Sequence, residues 1–325
     1  MTAKDNTGTK RPLIILTGPT AVGKTALSIG LAKAIQGEII SADSMQVYRG
    51  MDIGTAKITK EQMDGVPHHL IDIMDPSDSF HVMAFQQKCK EAMEDIYARH
   101  KIPILVGGTG FYIQSVLYDI SFTETDTDIE YRQELQKIAE EQGSYVLHAR
   151  LAKIDPEAAD EIHPNNVKRV IRALEFNHQT GEKISKHNEQ ERQRKSPYQF
   201  RYYVLSLPRE ILYDRINRRV DVMRQDGLVD EVKGLLQQGI TPDMVSMQGL
   251  GYKEIIDALQ GDCSFEEAFE RIKRETRHFA KRQFTWFRRE RDVTWINKET
   301  YESEAAILQY MIEDLKEARI LSADQ

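Results

Sequence analysis

From Pro12 to Thr17 the chain reads PLIILT, an apolar run that stops at a glycine. A short run without polar alternation predicts a strand buried on both faces, the habit of parallel sheets. Gly37 to Ala42 (GEIISA), Ile102 to Val106 (IPILV) and Tyr202 to Leu207 (YYVLSL) repeat the pattern. The first of these closes on Asp43 and the second on Gly107-Gly108-Thr109-Gly110. Ala26 to Ala34 and about Ser79 to Arg99 carry apolar residues at helical spacing, predicting helices between the strands. Strand, glycine turn, helix, strand is the rhythm of a doubly wound sheet, so the expected class is α/β, a parallel sheet flanked by helices.

From about Ser121 the texture changes. Ser121 to Asp128 is polar, and the run to Lys195 is charged, helical in period and poor in strand formers. Pro156, Pro164 and Gly181 punctuate it into three or four expected helices. The reading is a helical insertion at 121–198, splitting a core of 11–120 and 199–325 that holds one more strand and then helices to the end.

A chain of 325 residues is large enough for such a plan, and 40% hydrophobic with 29% charged residues excludes wholesale disorder. No apolar run approaches the ~20 residues a membrane span needs, and the polar stretch Met1 to Lys10 reads as no secretory signal. Cys89 and Cys263 lie far apart without a CxxC partner, which argues against a disulfide or a cysteine-zinc site and for a cytoplasmic protein. The nine histidines include His68-His69 but no HExxH, so they are expected to be structural. A monomer is expected.

Net charge is −7, which argues against a nucleic-acid partner until its distribution is considered. From Arg271 to Arg291, nine Lys/Arg face two Glu, a local charge of +7 that leaves −14 on the rest. Arg277, Lys281 and Arg282 are its candidate phosphate contacts, with Phe284 and Trp286 interleaved. Lys168-Arg169-Val170-Ile171-Arg172 forms a second basic cluster, Arg169 and Arg172 sharing a helical face.

The sharpest motif is Gly18-Pro19-Thr20-Ala21-Val22-Gly23-Lys24-Thr25, a full GxxxxGK[ST] between a predicted strand and a predicted helix. Its glycines let backbone N–H groups point inward, the helix N-terminus adds positive potential, and Lys24 adds a mobile charge. The Thr25 hydroxyl is placed to hold Mg²⁺. The expected fold is therefore P-loop NTPase-like and the expected ligand a polyphosphate. ATP is the common answer, yet no NKxD base-reading motif follows and LIDIMD (70–75) offers only a weak second magnesium acid. A small-molecule kinase stays open. Strand ends of a parallel sheet share one rim, which places Asp43 and Thr109 near the loop. Asp43 there either holds Mg²⁺, accepts a proton, or caps the next turn. Arg224 is a candidate clamp for a departing phosphate group.

GPTAVGKT (18–25), SADSMQVYRGMDIGTAK (41–57), VGGTGFY (106–112), HPNNVKRVIRALE (163–175), GLVDEV (227–232) and AKRQFTWFRR (280–289) occur in order. Together they resemble the bacterial tRNA dimethylallyltransferase family, from about Pro12 to Trp295. The resemblance implies transfer of a dimethylallyl group from dimethylallyl diphosphate to the N6 amine of the adenosine immediately 3′ of the anticodon, in tRNAs reading codons that begin with U. It implies that Gly18 to Thr25 hold the donor's diphosphate. Asp43 matches the family's general base, Thr109 a residue touching the acceptor nucleotide, and Arg224 a diphosphate contact. Asp43, Ser44, Met45, Gln46, Arg132 and Lys168 to Arg172 fall on stretches that touch the tRNA anticodon stem-loop. So does Gln248 to Lys253, where Gln248 stands in place of a basic residue. The helical insertion is then the arm that grips the tRNA.

Overall fold

The computed structural model describes residues 10–122 and 128–322. Of the segments read above, the polar tail 1–9 and positions 123–127 lie outside the described residues. The chain divides into one unit of residues 1–117 and 197–325 and a second of residues 118–196.

The first unit is built on one parallel sheet. Its strands are β1 (Pro12–Thr17), β2 (Glu38–Ala42), β3 (His68–His69), β4 (Pro103–Gly107), β5 (Gln199–Ser206) and β6 (Val293–Asn297), in the order β3-β2-β4-β1-β5-β6. Leu13 to Leu16 have no exposed surface because β1 lies in the middle, and burying each such side chain is worth about 1.5–3 kcal/mol. Ile14 and Leu16 belong to a core shared with α1 (Lys24–Ile35), through Leu27, Leu31 and Ile35. α2 (Val82–Ala98) and α3 (Gly110–Leu117) pack on β2 and β4. Four further helices belong to this unit: α9 (Arg209–Gln225), α10 (Leu228–Gln237), α11 (Tyr252–Gln260) and α12 (Phe265–Phe287). A last helix, α13 (Glu304–Glu317), follows β6. This is the P-loop NTPase-like arrangement, with the loop 18–23 joining the middle strand to α1.

Register places the strand ends. Thr17 and Ala42 both pair with Gly107, so Gly18, Asp43 and Gly108 leave the sheet on one rim. The strands approach closely there. A Cβ on Gly107 would lie 2.1 Å from the Ala42 carbonyl oxygen, and the Thr17 hydroxyl donates to the Gly107 carbonyl at 2.6 Å.

Two strands depart from the sequence reading. VTWIN (293–297) is a strand, not part of a helical C-terminus; it pairs with β5 at the sheet edge, with Trp295 half exposed and Ile296 buried. His68-His69 forms the opposite edge, His69 Nε2 meeting the buried Glu38 carboxylate at 2.8 Å.

The second unit contains α4 (Ile129–Gln142), α5 (Ser144–Ile154), α6 (Pro156–Glu161), α7 (Val167–Thr180) and α8 (Ile184–Gln193), five helices among its described residues instead of three or four. The extra break falls at Gly143, whose φ of +92° suits glycine. Leu135, Leu147, Leu151, Val170 and Leu174 form a core of its own. Among the described residues no helix is long and apolar enough to cross a membrane, and Cys89 and Cys263 are unpaired thiols.

Candidate active site

The phosphate loop is a preformed anion cradle. Gly23 caps α1 with φ of +94°, and no acid sits in the first turn to offset the positive helix end. The Lys24 ammonium donates to the carbonyls of Gly18 and Pro19, both at 2.9 Å, and so spans the start of the loop. Lys24 stays partly accessible to water while protein crowds it. That crowding, reinforced by the positive charge of Arg219, pushes its pKa down to about 7, and the Asp43 carboxylate only partly opposes them. Arg219 on α9 is likewise reached by water yet crowded enough to be lowered from its usual value. Two cations close enough to repel each other beside the loop suit a polyanion. The Thr25 hydroxyl is exposed at the same helix end.

Asp43 sits just past β2. Its Oδ1 accepts from the backbone N–H of Met45 at 2.8 Å and of Gln46 at 3.3 Å, so one oxygen caps the turn and fixes the carboxylate's direction. Its charge also faces Tyr112, whose pKa is pushed up to about 12 by burial first, then by Tyr48 and Asp43. Thr109 starts α3 on the neighbouring strand end: its N–H donates to the Ala42 carbonyl at 3.3 Å, and its carbonyl accepts from Tyr112 and Ile113. The fold therefore brings Asp43, Thr109 and the loop to one rim.

Several expected residues stand elsewhere. Arg224 is not in the cradle: its guanidinium bonds Glu266 at 2.7 Å and lies over the Phe269 ring. Arg219, about five residues earlier, takes that place. From the centre of the buried stripe Leu212, Ile216 and Val220, Arg219 is about 60° away around the helix and Arg224 about 80°, so helical phase did not separate them in the sequence. Val170 and Ile171 are buried in the second unit's core, so their side chains cannot meet RNA, whereas Lys168, Arg169 and Arg172 are exposed. Arg132 forks onto the buried Glu175 carboxylate, at 2.6 and 2.8 Å, and is committed inside its own unit. The Gln46 amide turns inward to the carbonyls of Thr55 and Ala56, while Ser44 and Met45 are half-buried. Gln248 donates to the Pro242 carbonyl. Arg277 ties α12 to α9 through Asn217 at 2.6 Å; Lys281 and Arg282 stay exposed.

Sequence reading missed two supports of the site. Glu231 accepts from the backbone N–H groups of Asp52, Ile53 and Gly54 at 2.8, 2.7 and 3.1 Å and from the Tyr252 hydroxyl at 2.7 Å. It thereby clasps the segment that follows Asp43. Gln283 on α12 accepts from the Thr20 N–H and donates to the Gly108 carbonyl, both at 2.9 Å.

Among the described residues no group of three His, Cys, Asp or Glu is placed to hold a metal. The acids of LIDIMD are taken: Asp72 pairs with Lys57 and Asp75 with Arg49, each at 2.6 Å. Thr25 with a substrate's own phosphate oxygens suits Mg²⁺, which keeps waters and asks few protein ligands.

A parallel sheet with a cationic phosphate loop and a carboxylate on the same rim defines an enzyme of group transfer from a phosphorylated donor. Residues 46–290 match the model of the IPP transferase family and residues 12–79 that of isopentenyl transferase. The chain is 59% identical to a tRNA dimethylallyltransferase of Lachnoclostridium phytofermentans, covering 96% of this chain and 99% of that protein. It is 53% identical to that of Bacillus pumilus, covering 89% and 90%. Among solved structures it is similar to the tRNA isopentenylpyrophosphate transferase of Bacillus halodurans (48% identity, TM-score 0.71, 95% and 98% covered). It is also similar to a eukaryotic dimethylallyltransferase acting on tRNA (31%, TM-score 0.79, 95% and 80% covered). The chain belongs to the IPP transferase family.

Proposed function

We infer that this chain is a tRNA prenyltransferase that moves a dimethylallyl group from dimethylallyl diphosphate to the N6 amine of the adenosine 3′ of the anticodon, in tRNAs reading codons that begin with U. The observation that carries the reading is the shared rim: a polyanion cradle at Lys24 and Arg219 beside a carboxylate held by its own turn. An adenine amine is a poor nucleophile because its lone pair is delocalised into the ring, so the reaction needs a stabilised leaving group and a proton acceptor. The N6–C1 bond forms as the C1–O bond breaks, and the electron pair leaves with the diphosphate. Lys24, Arg219 and the loop N–H groups meet that charge. Asp43, steered by its cap, takes the amine proton through its other oxygen, and Thr109 borders the acceptor. Thr25 is the residue that would hold Mg²⁺, and the ion would supply charge neutralisation to the diphosphate.

An adenine stacked in the anticodon loop cannot bring its amine to Asp43, so it swings out at a cost of a few kcal/mol. Exposed cations repay part of that by holding the anticodon stem-loop: Lys281 and Arg282 on α12, and Lys168, Arg169 and Arg172 on the helical unit, which we assign as the gripping arm. One copy of the chain carries every group invoked, so the working unit is a monomer, in the cytoplasm where tRNA is its substrate.

The test is mass spectrometry of nucleosides from tRNA incubated with the protein, dimethylallyl diphosphate and Mg²⁺. N6-isopentenyladenosine is expected, and Asp43→Ala lowers its formation by about 10²-fold or more while tRNA binding persists. No prenylated base, or phosphoryl transfer from ATP in its place, refutes the reading.

A further inference from the structure

α12 does more than carry cations. Its Gln283 side chain is only 6% exposed, wedged between the phosphate loop and the glycine turn after β4. One carboxamide uses its acceptor on the loop and its donor on the turn. The fit is close from both sides. A Cβ on Gly108 would stand 2.2 Å from Gln283 Nε2, and one on Gly110 would stand 2.2 Å from Cδ1 and Nε1 of Trp286, one turn further along α12. The glycines flanking Thr109 are therefore what allows α12 to press on this turn.

The chemistry of the tie is selective. Glutamate keeps the acceptor for Thr20 but sets an oxygen against the Gly108 carbonyl. Asparagine is one methylene shorter than the span. Alanine or leucine leaves a half-buried N–H and a half-buried C=O without this partner. The strand ladder fixes β1 and β4 up to Thr17 and Gly107. Beyond those residues the chain that holds the donor and the chain that borders the acceptor run on as separate loops, and Gln283 joins them.

We propose that Gln283 is a positioning residue that sets the distance between the diphosphate cradle and the acceptor rim. The proposal rests on the transfer reading above. Each loop binds its own substrate, so breaking the tie leaves both affinities and lowers the rate at which the bound pair reacts. Displacing reacting groups by about 1 Å costs about 10²-fold.

The experiment is single-turnover and steady-state prenylation of tRNA by wild-type, Gln283→Ala and Gln283→Glu full-length protein, with melting temperatures and tRNA filter binding. Wild-type activity tests the transfer reading by itself; its absence refutes that reading and not the tie. With wild type active, we expect the single-turnover rate to fall by about 30- to 100-fold in Gln283→Ala and about 10-fold or more in Gln283→Glu. KM for the donor and Kd for tRNA stay within about threefold. A purely stabilising role lowers the melting temperature and leaves the rate per folded molecule unchanged, which overturns the proposal. So does a rise in donor KM or tRNA Kd matching the lost activity, because that makes Gln283 a binding residue. If Gln283→Ala does not fold, Gln283→Glu gives the same readout; loss of fold in both assigns the residue to stability and also overturns the proposal.

Discussion

On the proposed function, in which Lys24 meets the donor's diphosphate, its depressed ammonium makes donor binding a proton-linked event. In the free protein crowding and Arg219 hold its pKa at about 7. A bound diphosphate brings negative charge against it and restores the ammonium, so binding takes up a proton. The sign follows: affinity is full where free Lys24 is already protonated, below 7, and weakens as pH rises through 7. With a midpoint at about 7, Kd for inorganic pyrophosphate rises by about eightfold between pH 6.5 and 8 and by about 80-fold by pH 9. Inorganic pyrophosphate itself titrates across this range, so its own protonation, measured without protein at the same Mg²⁺, is subtracted from both Kd and proton uptake. Isothermal titration at fixed Mg²⁺, in two buffers of different ionisation enthalpy, reads the proton directly, about half a proton per pyrophosphate at pH 7. Arg219→Gln removes the neighbouring charge, so overall affinity falls while the midpoint moves to higher pH. A flat Kd from pH 6.5 to 8 without proton uptake, or an unmoved midpoint in Arg219→Gln, refutes the argument.

Three further outcomes follow from the geometry. Arg224→Ala leaves pyrophosphate Kd within about twofold and costs about 1 kcal/mol, because it breaks a surface pair with Glu266 and an exposed contact over the Phe269 ring; calorimetry and urea unfolding check this. Glu231→Ala removes four hydrogen bonds from one carboxylate and lowers stability by about 3 kcal/mol; a melting temperature within about 2 °C of wild type would show the clasp to be idle. Burial alone would raise the Glu38 pKa, but hydrogen bonds from Arg99, His69 and Lys101 outweigh it and hold it at about 2. A carboxyl depressed in the folded state stabilises above its unfolded pKa, so about 3 kcal/mol present at neutral pH is lost as pH falls from about 4.5 toward 2. Glu38→Gln should flatten that acid limb of the unfolding curve.

The sheet's middle was legible because β1, β4 and the centres of β2 (Ile39-Ile40) and β5 (Tyr202 to Leu205) are short apolar runs, a consequence of cover on both faces. The rim was legible for a topological reason: parallel strand ends share a side, so Asp43 and Thr109 had to approach the loop. β6 escaped because an edge strand alternates, and VTWIN, half exposed, follows a long basic helix with no glycine turn to announce it. Arg219 was passed over for Arg224 because a helix with five arginines, two of them at similar phase to its buried stripe, does not say from position which one lies beside Lys24. Glu231 and Gln283 were out of reach of periodicity. Their backbone partners lie 175 to 263 residues away, and a polar residue bonded across such a separation looks like any surface residue along the chain.

The tie through Gln283 also bears on synthesis. The loop 18–25 and the rim at Asp43 leave the ribosome early, yet the carboxamide that joins Thr20 to Gly108 is 263 positions behind its loop partner. β5 and β6 complete the sheet later than the strands they flank. A growing chain therefore holds the signature motif for most of its translation without an assembled centre. Truncated products should compete poorly for the substrates of the finished protein.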